Sequence, residues 1–295
     1  MNPSEKDILH IPLTNRIFGA DHGLPSSEAT LASLPEYAGP DNPRLRFLGT
    51  GTSAGVPILG CQCGVCRSLD PRDRRFRTAA LLETRHARIL IDAGPDIRQQ
   101  LMPLPFYPLD AILLTHVHYD HVGGLDALRG FCVFGDLHIC ADETTSAGVR
   151  RAMPYCFTEK LYPGVPLVKL HTIRPHEAFM VGDVEVMPIE VMHGQLPILG
   201  YRIGRLAYIT DMKSIADSEM AYLNGVETLV VNALRWEKPH HSHMLIDDAI
   251  AFARRVGARQ TYIIHVTHQV GLQDEAEARL PEGIHLAYDG LEIEV

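Results

Sequence analysis

From Arg44 onward the chain repeats one pattern, a short apolar run followed by a polar or glycine-rich loop. RLRFLG precedes TGTSAG, ARILI precedes DAGPD, and DAILLT precedes HVHYDH. Further along, VEVMPIEVM leads to HG, LAYIT to Asp211, ETLVVN to a histidine-rich loop, and TYIIH to VTHQ. Short apolar runs rich in β-branched residues predict buried strands. Between them, Ile246, Ala249, Ile250, Ala253 and Val256 keep helical spacing, with Asp247 and Asp248 early and Gly257 just beyond the end. The tail IHLAYDGLEIEV reads as two short strands joined by Asp289-Gly290, a pair suited to a tight hairpin. Strands interspersed with helices imply a layered α/β architecture.

Residues 1–44 break this pattern. DHGLPSSEATLASLPEYAGPDNP is rich in Pro, Ser and Gly and predicts an extended lead-in, leaving 45–295 as the single domain. That N-terminal extension and the C-terminal hairpin are the candidate surfaces for a homodimer. Almost every metal-type residue falls directly after a strand-like run, where a rigid sheet can make distant parts of the chain converge.

Composition narrows the function. The 46% hydrophobic and 21% charged content suits a soluble globular protein. No apolar run approaches a membrane span, and the start MNPSEKDILHIPLT lacks the features of a signal peptide, so the expected compartment is the cytoplasm. A net charge of −9 argues against a nucleic-acid footprint, which needs Lys/Arg stripes. The 16 histidines are the oddity, because histidine is the commonest metal ligand.

Two clusters carry the chemistry. GCQCGVC places Cys61, Cys63 and Cys66 in one glycine-punctuated loop, three ligands where a structural Zn²⁺ takes four. LLTHVHYDHVGG supplies His116, His118, Asp120 and His121. In extended chain His116 and His118 point the same way and can share one ion, while Asp120 and His121 face a second. Candidate partners are His193, joining His116 and His118; His265, joining Asp120 and His121; and Asp211, whose two oxygens can bridge both ions. Imidazole and carboxylate donors suit Zn²⁺, Mn²⁺ or Fe.

THVHYDHVGG resembles the HxHxDH motif of the metallo-β-lactamase-fold hydrolases, with His193, Asp211 and His265 in that superfamily's order. The resemblance implies an αββα sandwich with a dinuclear site at one edge. FLGTGTSAGVPILGCQCGVC, ILIDAGPD, the HHSHM loop and the late THQ are similar to the phosphoribosyl 1,2-cyclic phosphate phosphodiesterase family. The cysteine loop also resembles that of a relative in pyrroloquinoline quinone biosynthesis. The phosphodiesterase resemblance implies His268 as the fourth ligand of a structural zinc and His243 as the general acid. The cysteine loop would then be a wall of the substrate site.

The expected activity is hydrolysis of a small cyclic phosphate or nucleotide-like phosphodiester. Water activated by the two ions and oriented by Asp120 attacks phosphorus, and His243, of near-neutral pKa, protonates the leaving oxygen. Alternatives on the same site are an RNase Z-like nuclease, a thioester or amide hydrolase, and a non-catalytic carrier. His240 and His241 read as solvated loop residues. Asp92 reads equally as a carboxylate orienting a ligand histidine or as a turn cap. TGTSAG reads as a phosphate cradle or a tight turn. Cys132, Cys140 and Cys156 read as ordinary buried thiols, and Met187 and Met192 as strand residues.

Overall fold

The computed structural model describes residues 8–13 and 37–295. Most of the expected N-terminal lead-in therefore lies outside the described residues. Among those described, the strands form two sheets. The first contains β2 (Arg44–Gly49), β3 (Ala79–Glu83), β4 (Arg88–Ile91), β5 (Ala111–Leu113), β6 (Leu137–Ala141), β7 (Val168–Thr172) and β15 (Glu292–Glu294), in the order β15-β2-β3-β4-β5-β6-β7. The second contains β1 (His10–Ile11), β8 (Phe179–Val181), β9 (Val184–His193), β10 (Leu196–Ile203), β11 (Leu206–Ile209), β12 (Thr228–Asn232), β13 (Gln260–Ile264) and β14 (Ile284–Leu286), in the order β1-β8-β9-β10-β11-β12-β13-β14.

The apolar runs are continuous because most central strands are covered on both faces. Ile89 and Ile91 of β4 enter the layer between the sheets, where Leu206, Tyr208 and Val230 come from the other side. Leu90 points outward into a cluster that includes Leu125 and Val149. Ala207, Ile209, Leu229 and Val231 face a third cluster that includes Ile246, Ala249, Phe252 and Ala253. These last four residues belong to a helix spanning Ile246–Val256, the range the spacing predicts. It ends at Gly257 in the left-handed region (φ 76°). Three apolar layers around two sheets make the αββα sandwich of the metallo-β-lactamase fold.

The sheets are stitched at the edge where the loops gather. Gly51, beyond β2, forms a parallel bridge with Val266, beyond β13. Leu199 N of β10 donates to Thr115 O at 2.9 Å. The buried Tyr201 hydroxyl donates to Leu114 O at 2.5 Å. These bonds fix the segment leading into His116 against the opposite sheet.

The tail departs from expectation. The two runs around Asp289-Gly290 do not pair with each other. β14 adds in parallel to β13, whereas β15 runs antiparallel to β2 in the other sheet. Asp289 anchors the crossing, accepting from Thr50 Oγ1 at 2.7 Å and Phe76 N at 2.6 Å. Each tail strand closes one sheet, so the expected C-terminal hairpin does not form. The N-terminal segment also contributes: His10–Ile11 pairs in parallel with β8, and Ile11 is buried between the sheets.

Tyr201→Phe should remove the donor to Leu114 O and leave that carbonyl unsatisfied, lowering unfolding free energy by about 1–3 kcal/mol. Urea denaturation of the two proteins checks this.

Candidate metal centres

His193, Asp211 and His265 sit at or just past the ends of β9, β11 and β13, and His116 follows β5 by three residues. Thr115 follows β5 and presents its amide and hydroxyl to Asp92, just past β4 (2.8 and 2.9 Å). Because that hydroxyl proton is committed to Asp92, His116 Nδ1–H donates to Thr115 Oγ1 at 3.0 Å. His116 Nε2 is left facing His118 Nδ1, also at 3.0 Å. His193, the last residue of β9, donates from Nδ1 to the Asp211 carbonyl at 2.7 Å, which reserves its Nε2. His116, His118 and His193 bring one donor atom each to within 4.8 Å of one another.

The second group is Asp120, His121, Asp211 and His265, gathered within the same limit. His121 is fully buried and donates from Nδ1 to Asp92 Oδ2 at 2.7 Å. Its Nε2 lies 3.3 Å from both Asp120 Oδ2 and Asp211 Oδ1. His265 Nε2 lies 3.2 Å from Asp211 Oδ2 and 3.6 Å from Asp120 Oδ2. Asp92 is thus an orienting carboxylate, one of its two sequence readings. Asp211 also falls in a third group with His193 and His243, with His243 Nδ1 at 3.8 Å. That places the Asp211 carboxylate between the two histidine sets.

Close backbone contact allows this convergence. A side chain on Gly94 would sit 2.0 Å from Asp120 O, and one on Gly124 would sit 2.0 Å from Gly94 O. The glycines of DAGPD and HVGG therefore let the β4 and β5 loops touch.

The donor chemistry fits divalent cations. Burial holds His116 well below, and His118 below, the ordinary imidazole pKa, so both keep lone pairs free. Burial works against ionisation of Asp120 and Asp211, but the adjacent His121 and His265 outweigh it and hold both well below the carboxylate range. Burial likewise opposes a charge on His121, yet Asp211 and Asp92 carry it well above the usual value, so a cation at this position would displace a proton. His121 Nε2, His243 Nδ1 and both ring nitrogens of His265 are buried without a hydrogen-bond partner. Unpaired buried nitrogens beside ionised carboxylates are what a cation site requires.

Cys61, Cys63 and Cys66 meet His268, as the resemblance implied. Their sulfurs lie 3.3, 3.2 and 3.4 Å from His268 Nδ1. Tetrahedral zinc with bonds of about 2.3 Å to sulfur and about 2.0 Å to nitrogen sets S···N edges at roughly 3.5 Å. The Cys66 amide, helped by His268, pulls the Cys63 thiol down to about 6, while burial pushes Cys66 up to about 11. A bound metal would have to displace the Cys66 proton.

The sequence profile described as "Beta-lactamase superfamily domain" matches residues 87–266. A solved structure of a new diphosphatase from the PhnP family superposes with a TM-score of 0.80 at 37% identity, covering 86% of this chain and 97% of that one. This chain belongs to the metallo-β-lactamase superfamily and to its PhnP family. The PhnP-family fold is shared more distantly by Zn²⁺-bound PqqB from Methylobacterium extorquens, with a TM-score of 0.69 and 21% identity over 85% of this chain and all of that one. A protein named "Octanoyltransferase" from Porphyromonas gingivalis (strain ATCC BAA-308 / W83) is 46% identical over 250 residues, 84% of this chain and 51% of that protein. This PhnP-family chain therefore spans about half the length of that relative.

His243 is buried at the site, as placed by the resemblance. Burial and the neighbouring His265 push its pKa down to about 3, far below the near-neutral value expected from sequence. His241 is exposed and His240 half-buried, in keeping with loop residues. In TGTSAG, the Gly51, Thr52 and Gly55 amides donate to backbone carbonyls, which favours the tight turn over the phosphate cradle. Cys132, Cys140 and Cys156 are buried thiols.

Sequence reasoning missed Asn232, which is fully buried. Its amide clamps Met212, accepting from N at 2.6 Å and donating to O at 3.0 Å, and so fixes the turn at Asp211. Its position at the end of β12, level with the other strand-end residues, was the available signal.

Cys63→Ser and His268→Ala should each lose one zinc per chain and retain the remaining ions, as read by elemental analysis of purified protein.

Proposed function

We propose that this PhnP-family chain is a dinuclear metal-dependent hydrolase of small phosphodiesters, cyclic phosphates or nucleotide-like esters. The observation that carries the reading is the convergence of His116, His118 and His193 on one side of Asp211, and Asp120, His121 and His265 on the other. Two divalent cations held there supply Lewis acidity toward a phosphoryl oxygen and acidify water near neutral pH. Zn²⁺ or Mn²⁺ suits the donors in this pair of positions, and Zn²⁺ suits the thiolate cluster.

The chain's own side chains divide the remaining work. Asp120 lies beside His121 and His265 through Oδ2, leaving Oδ1 to orient the attacking hydroxide. The new P–O bond forms as the ester P–O bond opposite breaks. His243 stands beside Asp211 with Nδ1 unpartnered and delivers a proton to the departing oxygen. Asp92 keeps His121 in one tautomer, and the Asp211 carbonyl does the same for His193.

A net charge of −9 weighs against a tRNA-sized substrate. The strong match to half of an octanoyltransferase favours one second reading, hydrolysis of an acyl thioester on the same site.

Metal-loaded protein assayed on bis-p-nitrophenyl phosphate, an octanoyl thioester and a β-lactam should turn over the phosphodiester fastest. No phosphodiester turnover overturns the proposal, and preference for the thioester installs the second reading.

His243→Ala should slow hydrolysis of an alkyl phosphodiester by about 10²–10⁴-fold and slow a p-nitrophenyl ester far less, with metal content unchanged. Equal losses on both substrates would make His243 something other than the proton donor.

A further inference from the structure

The loops leaving β12 and β13 run side by side away from the dinuclear centre. Ala233 N donates to Ile264 O at 3.0 Å, and Thr267 N to Leu234 O at 2.9 Å. Beyond this zipper lies a cavity of about 280 Å³ lined by Arg235, Trp236, Glu237, Lys238, Gln269 and Arg279. Three of these side chains are cationic and one is acidic, in a chain whose net charge is −9.

The cationic groups are held in place and not merely scattered on a surface. Arg235 Nε donates to the carbonyls of Glu237 and Lys238, each at 3.0 Å, and Nη1 donates to Gln269 Oε1 at 2.9 Å. None of these three partners carries charge, so they fix the guanidinium without cancelling it. Arg279 lies over the Trp236 ring, with Cζ 3.7 Å from its centroid. Trp236 is itself fixed, since Nε1 donates to Val270 O at 2.9 Å. Stacking occupies the flat face of a guanidinium and leaves its N–H edge free for an oxyanion.

We infer that this cavity is a second, metal-independent oxyanion site that takes a phosphate group. Planar N–H forks match phosphate oxygens, and Lys238 adds a point charge. At about 280 Å³ the space is large enough to admit a phosphate group. The site stands apart from the hydrolytic reading, because none of its lining residues belongs to the dinuclear set. Gln269 directly follows His268 of the cysteine cluster, so an occupied cavity abuts that cluster.

Trp236 is the chain's one tryptophan, so its emission reports this cavity directly. Titrating the metal-loaded protein with inorganic phosphate should give a saturable change in that emission. Arg279→Gln and Lys238→Gln, both exposed substitutions, should each weaken the affinity at least tenfold. Lys169→Gln, on distant β7, should leave it unchanged. The inference is overturned by an unresponsive Trp236, by unaltered affinity in both cavity variants, or by equal weakening in Lys169→Gln, which would mean diffuse attraction. A kinetic arm separates the two sources of phosphate. If Arg279→Gln raises KM at least fivefold for a diester bearing a terminal phosphate but not for bis-p-nitrophenyl phosphate, the group belongs to the substrate. If KM is unaltered on both while phosphate binding is weakened, the site takes free phosphate. Saturable phosphate binding in a protein that hydrolyses no phosphodiester would sink the proposed activity and leave this site standing.

Discussion

Three carboxylates, Asp92, Asp120 and Asp211, converge where the two sheets meet, and their negative charge has to be balanced there. Moving an ionised carboxylate out of water costs several kcal/mol unless a cation or several donors accompany it. Asp92 is satisfied by Thr115 and His121. Asp120 and Asp211 are flanked by imidazoles whose buried nitrogens lack hydrogen-bond partners. Neutral imidazoles beside ionised carboxylates form a balanced set once divalent cations stand among them. On the proposed reading, the chemistry of the site and the stability of this edge would rest on the same ions.

The backbone is bent to meet that requirement. Asp92, Asp211 and His265 take left-handed φ values of 62°, 56° and 57°, each directly after or near the end of a strand. Such conformations cost about 1–3 kcal/mol apiece in non-glycine residues and persist only where the surroundings over-determine them. Asn232 clamps the turn at Asp211, and the bridge between Gly51 and Val266 grips the turn at His265. That bridge also couples the two metal-type clusters. His265 serves the dinuclear set, while His268 joins the cysteine loop, so the same short segment bears on both.

Most of the site was legible in the sequence because side-chain identity carries the signal. HxHxDH after an apolar run announces its chemistry whichever sheet it ends on, and His193, Asp211 and His265 are donors placed at strand ends. Contributions made by the backbone left no such trace. The carbonyls that orient His193 belong to Asp211 and Ser242, and nothing in those residue types marks the role. The tail misled for a related reason. Asp-Gly chemistry describes a local turn, but whether the flanking strands pair is decided by free edges elsewhere, here β13 and β2. The lowered pKa of His243 is not legible in the sequence, because burial and the neighbouring His265 cause it and not residue type. His10–Ile11, too short to show a period, gave no signal at all.

Anomalous diffraction from crystals of the purified, metal-replete protein tests the central claim most directly. Two ions should lie beside Asp211, one toward His116, His118 and His193 and the other toward Asp120, His121 and His265, with a third among Cys61, Cys63, Cys66 and His268. A single ion beside Asp211, or none, would contradict the account of how this edge of the fold is balanced.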